Sequence, residues 1–174
     1  MVRYRYGDIT VRDMETRDAQ AITDAEIAQG WHQSVDKYLT RLRDRDEGRS
    51  VALVAEYRGE TAGYVNVYPR PEAGPYAGKG IPEIVDFGVL EKFRRRGIGT
   101  ALMDAAEDIA GAYSDRVCIG VGLHAGYGSA QRMYAKRGYI PDGSGVWYNG
   151  RVCEPYGECR NDDGLVLHME KKLR

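Results

Sequence analysis

Phe93-Arg94-Arg95-Arg96-Gly97-Ile98-Gly99-Thr100 is the stretch on which the reading of this chain turns. Before it, Glu83–Leu90 has the composition of a strand. After it, Gly97–Tyr113 carries Ile98, Ala101, Leu102, Ala105, Ile109 and Ala112 on one helical face. The segment is therefore a strand-to-helix turn. A helix start leaves backbone N–H groups without carbonyl partners and carries the positive end of the helix dipole. Glycines there remove the side chains that would keep a phosphate away from those N–H groups. Three consecutive arginines add positive charge. The turn predicts a phosphate or pyrophosphate site.

Two familiar nucleotide sites do not fit. A Walker loop needs Gly-Lys-Ser/Thr, and no lysine follows these glycines. A dinucleotide fingerprint needs a third glycine where Leu102 stands. It also needs an acidic residue ending the next strand, and Val117-Cys118-Ile119-Gly120-Val121-Gly122-Leu123 offers none.

Working outward, Ile9–Arg12 alternates like a short strand and Asp18–Gln29 reads as a helix. Ser34 is placed to cap a second helix with Val35, Tyr38, Leu39 and Leu42 at helical spacing. Ser50–Tyr57 and Thr61–Tyr68 read as a hairpin over Arg58-Gly59-Glu60. Pro69–Pro82 is a loop rich in proline and glycine. Arg116–Leu123 reads as a buried strand, and Ser129–Arg137 as a helix ended by Gly138. Trp147-Tyr148 and Leu165–Met169 close the sheet across a polar loop. The order β-α-α-β-β-β-α-β-α-β-β predicts an α/β (α+β) fold with a mixed, mostly antiparallel central sheet and helices on both faces.

At 174 residues the chain has the length of one domain, read as 1–174. Lys plus Arg number 25 and Asp plus Glu 26, which argues against a nucleic-acid binder. No apolar run is long enough for a membrane span, and Met1–Asp8 lacks the apolar stretch of a secretory signal. Cys118, Cys153 and Cys159 are an odd set without metal-ligand spacing, and His32, His124 and His168 are scattered, so no metal is expected. Reduced thiols and a cytoplasmic location are the corresponding expectations.

What does fit the turn is Arg/Gln-x-x-Gly-x-Gly/Ala, here Arg94, Gly97 and Gly99. Glu83-Ile84-Val85-Asp86-Phe87-Gly88-Val89 together with Phe93 through Leu102 resembles the acyl-CoA site of the GNAT superfamily of N-acetyltransferases. A second segment, Tyr127-Gly128-Ser129-Ala130-Gln131-Arg132-Met133-Tyr134-Ala135-Lys136-Arg137-Gly138-Tyr139, is similar to the family's later motif Asn-x-x-Ala-x-x-Leu/Met-Tyr-x-x-x-Gly-Phe/Tyr. With the element order, the resemblance spans most of the chain.

The resemblance implies acetyl-CoA as co-substrate and an amine as acceptor, small molecule or protein. Arg94, Arg95, Arg96, Gly97, Ile98, Gly99 and Thr100 would hold the pyrophosphate. Backbone groups around Phe87, Gly88 and Val89 would hold the pantetheine arm, with Gly88 marking a bulge in the strand. Tyr127 stands where the family often has Asn, so its hydroxyl or Ser129 would take over that contact. Tyr134 reads by spacing as a core aromatic, and by resemblance as the general acid. Glu83 reads by pattern as an exposed strand residue, and by resemblance as the base that accepts the amine proton, directly or through water. Asp86 points to the other face of an unbulged strand. The resemblance also allows a homodimer. The rival reading is a non-catalytic module that senses acyl-CoA, to which Tyr134 and Glu83 would be irrelevant.

Overall fold

Ser34 caps a helix, as its position predicts: its Oγ accepts from Asp36 N at 3.2 Å. In the computed structural model, which describes residues 1–173, that helix is α2 (Val35–Asp46). Before it come β1 (Val2–Tyr6), β2 (Ile9–Asp13) and α1 (Thr16–Ala28). Residues 1–68 with 85–109 form one compact unit, and residues 69–84 with those from 110 onward a second.

In the first unit, β1, β2, β3 (Val51–Tyr57) and β4 (Glu60–Tyr68) pair antiparallel in chain order, with β5 (Glu83–Val89) next to β4. The β3–β4 turn is Arg58-Gly59, both at positive φ, 53° and 85°. Two such residues give the turn whose twist matches a hairpin. Cross-strand partners share a face, so Ala52 and Val54 lie beside Asn66 and Tyr64. Ala52, Val54 and Tyr64 form a core with Met14, Ala19 and Ile22 around α1, and with Tyr38 and Leu42 of α2. The opposite face holds Gly63, where an added Cβ would lie 3.0 Å from Leu102 of α3 (Ile98–Gly111). Helices therefore cover both faces of this unit's sheet.

One buried ion pair orients α1. Arg12 on β2 is bidentate to Asp18, Nη1 to Oδ2 at 2.7 Å and Nη2 to Oδ1 at 2.8 Å, and its Nε reaches Glu56 at 2.8 Å. Asp18 Oδ2 also accepts from Glu15 N at 2.7 Å, closing a capping box.

In the second unit, β6 (Arg116–Gly122) lies parallel to the start of β5, Glu83 opposite Cys118 and Ile84 opposite Ile119. On its other side β6 pairs antiparallel with β9 (Leu165–Lys172), which pairs with β7 (Ile140–Tyr148), which pairs with β8 (Arg151–Val152). Between β6 and β7 runs α4 (Gly128–Lys136). It ends at Gly138, φ 90°, with Gly138 N on Ala135 O at 3.1 Å and Tyr139 N on Tyr134 O at 3.0 Å. That is the glycine stop expected from the sequence.

The sheet is mixed and mostly antiparallel, as predicted. Two strands escaped the sequence reading: β1, whose Arg and Tyr residues show no apolar run, and the two-residue β8. Leu39 is 41% exposed and not on the buried face of α2. Ala112 is exposed and lies beyond the end of α3. All three cysteines are free thiols. No helix among the described residues is long and apolar enough to cross a membrane.

Candidate active site

The turn after β5 lies in the first unit. Glu91–Phe93 make one 3-10 turn, after which Arg95 and Gly97 take left-handed conformations, φ 59° and 84°. A Cβ on Gly97 would meet only Ile9 Cδ1, at 3.7 Å, so the backbone angle is what calls for glycine. Ala101 N bonds Gly97 O at 3.0 Å. The amides of Ile98, Gly99 and Thr100 precede that bond and stay outside the helical ladder. Arg94, Arg95, Arg96 and Thr100 are exposed, while Ile98 and Gly99 are buried. Two of the guanidiniums are oriented by rings. Arg94 lies over Trp31 at 5.8 Å and pairs with Glu91 at 3.4 Å, and Arg96 lies over Tyr57 at 5.0 Å. An anion at this turn would meet free amides and positive charge together.

Along β5 the residue with a left-handed backbone is Asp86, φ 50°. Gly88 allows close packing: a Cβ there would lie 2.6 Å from Cζ of Tyr64. The Tyr64 hydroxyl is in turn held by Glu26, which also accepts from Tyr38 OH at 2.5 Å. The Asp86 carboxylate accepts from Arg41 Nε at 2.6 Å and lies 3.5 Å from Lys37 Nζ. Arg41 also donates to Tyr68 OH at 2.7 Å, and Tyr68 donates to Asp44 at 2.5 Å. Burial and its bond to Asp44 push the Tyr68 hydroxyl up to about 12. Asp86 is thus anchored by two cations one helical turn apart on α2. Sequence reasoning missed Lys37 and Arg41, which no local motif connects to residue 86. Phe87 and Val89 follow this irregularity, half-buried.

The second unit holds Glu83, Tyr127, Ser129 and Tyr134. Glu83 is half-buried and in register with Cys118. Burial pushes the Cys118 thiol up, in keeping with an inert core residue. Tyr134 is 4% exposed, with its ring 5.8 Å from that of Tyr139. Burial, with Tyr127 adding to it, pushes its hydroxyl well above the usual tyrosine value. The Tyr127 hydroxyl donates to Asp163 at 2.9 Å, and His124 Nε2 shares the same oxygen at 2.9 Å. The Tyr127 ring covers Gly122, where no side chain would fit. Ser129 is exposed in the first turn of α4.

A model of the acetyltransferase (GNAT) family matches residues 12–139. An uncharacterized N-acetyltransferase, YhfO of Bacillus subtilis (strain 168), is 29% identical over 145 residues, covering 80% of this chain and 95% of that protein. Among solved structures, the putative acetyltransferase yncA from Salmonella typhimurium, with its cofactor acetyl-CoA, is similar with a TM-score of 0.68 and 16% identity over 97% of this chain and 95% of its own. Ard1 from Thermoplasma volcanium is similar with a TM-score of 0.69 and 21% identity over 96% of this chain and 99% of its own. At those identities the structures speak for the fold. The family match takes in the first helices, the glycine turn and the Tyr134 helix, and with it the chain belongs to the GNAT family of acetyltransferases.

Proposed function

We propose that the protein transfers an acetyl group from acetyl-CoA to a primary amine, the chain acting as one catalytic domain. The observation that carries this reading is the turn at Arg94–Thr100: left-handed Gly97, three amides ahead of the helical ladder and exposed arginines. These groups suit the pyrophosphate of coenzyme A, and the bound acetyl-CoA of yncA supports the same donor here. Backbone groups at Phe87, Gly88 and Val89 hold the pantetheine arm, and the Val89 amide is the donor for the developing oxyanion. Tyr127, through its hydroxyl lone pairs, and Ser129 replace the amide side chain common in the family.

An alkylammonium has a pKa of about 10 and must lose a proton before it can attack. Glu83 accepts that proton, directly or through a water. The nitrogen lone pair then forms the C–N bond to the thioester carbonyl carbon, and collapse of the tetrahedral intermediate breaks the C–S bond. Tyr134, whose hydroxyl is neutral at pH 7 as any tyrosine's is, gives its proton to the leaving thiolate. Both substrates are held at once, so no acyl-enzyme is needed.

Thermal melting with acetyl-CoA, NADH or ATP tests the donor. Saturation at 100 times Kd adds about 2.7 kcal/mol, a rise of roughly 5–10 °C for a domain of this size. A rise with acetyl-CoA alone supports the reading. A rise only with NADH or ATP overturns it.

A further inference from the structure

Trp31, one of the chain's two tryptophans, is half-buried and does not belong to the core that α1 and α2 share. Its place is set by the way α1 ends. Gly30 takes a left-handed backbone, φ 86°, with Gly30 N on Ile27 O at 3.0 Å and Trp31 N on Glu26 O at 2.9 Å. These two bonds are those of a glycine helix stop, and they fix the direction in which the chain leaves the helix. Glu26 is itself anchored, fully buried and holding the hydroxyls of Tyr38 and Tyr64. A tryptophan on so fixed an exit has a defined target.

That target is the glycine turn of the same unit, met at two points. Gln29 Oε1 accepts from Glu91 N at 3.0 Å, and the Arg94 guanidinium lies over the Trp31 ring, 5.8 Å from its centre. Arg94 also pairs with Glu91 at 3.4 Å, but both side chains are 48% exposed, and such a pair contributes little against solvent and salt. The ring is the more useful support. A guanidinium stacked on an aromatic face is attracted through its plane, which leaves its N–H edge free for an anion. Trp31 also lines an open cavity of about 500 Å³ with Ile27, His32 and Ser34, so its ring does not serve to fill a core.

We propose that Trp31 is a positioning residue for the donor, holding Arg94 ready for the pyrophosphate of coenzyme A. The proposal rests on the acetyl-transfer reading for the identity of that donor. An unsupported arginine side chain must be immobilised when the pyrophosphate binds, which costs roughly 2–10-fold in affinity. One already held against a ring has given up that freedom beforehand. Trp31 therefore acts through Arg94 and needs no contact of its own with the donor.

The test is a double-mutant cycle read by calorimetric titration of coenzyme A into the full chain. Trp31→Leu should weaken binding about 2–10-fold, while Trp31→Phe, which keeps an aromatic face, should stay within about twofold of the native chain. In an Arg94→Ala background the same Trp31→Leu change should cost less than about twofold, because the group it positions is gone. Should Trp31→Leu fail to fold, Arg94→Lys reads the pair from its exposed side: it keeps the charge, loses the flat stacking group, and should weaken binding by a similar factor. Unchanged affinity in Trp31→Leu or in Arg94→Lys, or an undiminished loss in the Arg94→Ala background, would overturn the proposal and leave the donor reading intact. No binding of coenzyme A by the native chain would remove the donor reading and this proposal with it.

Discussion

Asp86 holds a left-handed backbone, φ 50°, that costs a non-glycine residue on the order of 1–3 kcal/mol. Arg41 and Lys37 offset that cost through the carboxylate. Two substitutions separate the contributions. Asp86→Ala keeps the backbone cost and loses both cations, whereas Asp86→Gly loses the cations but removes the cost. Urea unfolding should therefore find Asp86→Ala less stable than Asp86→Gly by about 1 kcal/mol. Equal stabilities would mean that the conformation carries no strain. At the buried Tyr134, Phe removes the hydroxyl and keeps the ring. Tyr134→Phe should lower kcat by about 10²–10⁴-fold, the range for a lost general acid, with acetyl-CoA affinity unchanged by calorimetry. Wild-type turnover would leave Tyr134 a packing residue.

Among the elements, α3 and α1 carry the sharpest expectations. Gly99 lies buried among the amides that precede the α3 ladder, so Gly99→Val should weaken coenzyme A binding severely. Calorimetry showing unchanged affinity would place the pyrophosphate elsewhere. Arg12→Met should destabilise the chain by about 3–5 kcal/mol in urea, since it leaves Asp18 and Glu56 without their shared cation at the start of α1. Elements whose causes are local were legible in the sequence: the Ser34 cap, the Arg58-Gly59 turn, the Gly138 stop and the glycine turn into α3. The left-handed residue in β5 was not, because the cations that hold its carboxylate lie on α2, Arg41 being 45 residues away. Gly88 also packs against a tyrosine ring, a close approach that no local pattern announces. The row of Glu83, Cys118 and Glu170 was likewise illegible, because only strand register brings its members together.

For the whole molecule, acid should act in two stages. Burial depresses the folded pKa of His168 below its ordinary 6.5, with Asp142 opposing. Below that value the unfolded chain takes up a proton that the folded chain refuses, so this stability is present above about pH 6.5 and lost as pH falls. Asp13 and Asp44 come later. Burial raises each, but Arg3 at Asp13, and Tyr68 and Arg49 at Asp44, pull both below the ordinary 3.8. Their contribution holds above that value and disappears on further acidification. Melting temperature against pH should show both declines, and His168→Gln should abolish the first alone. A single decline below pH 4 in the native chain would show that His168 titrates normally.

The hairpin of β1 and β2 bears on solubility. In β1 the residues Val2-Arg3-Tyr4-Arg5-Tyr6 lie along the margin of the sheet, and all but Tyr4 are exposed. An open margin invites a strand from another molecule, and charged side chains along it discourage that pairing. Beneath it β2 carries Ile9 and Val11, both buried. Removal of the first seven residues would turn a guarded margin into a sticky one, and material trimmed there should aggregate on concentration while the intact chain does not.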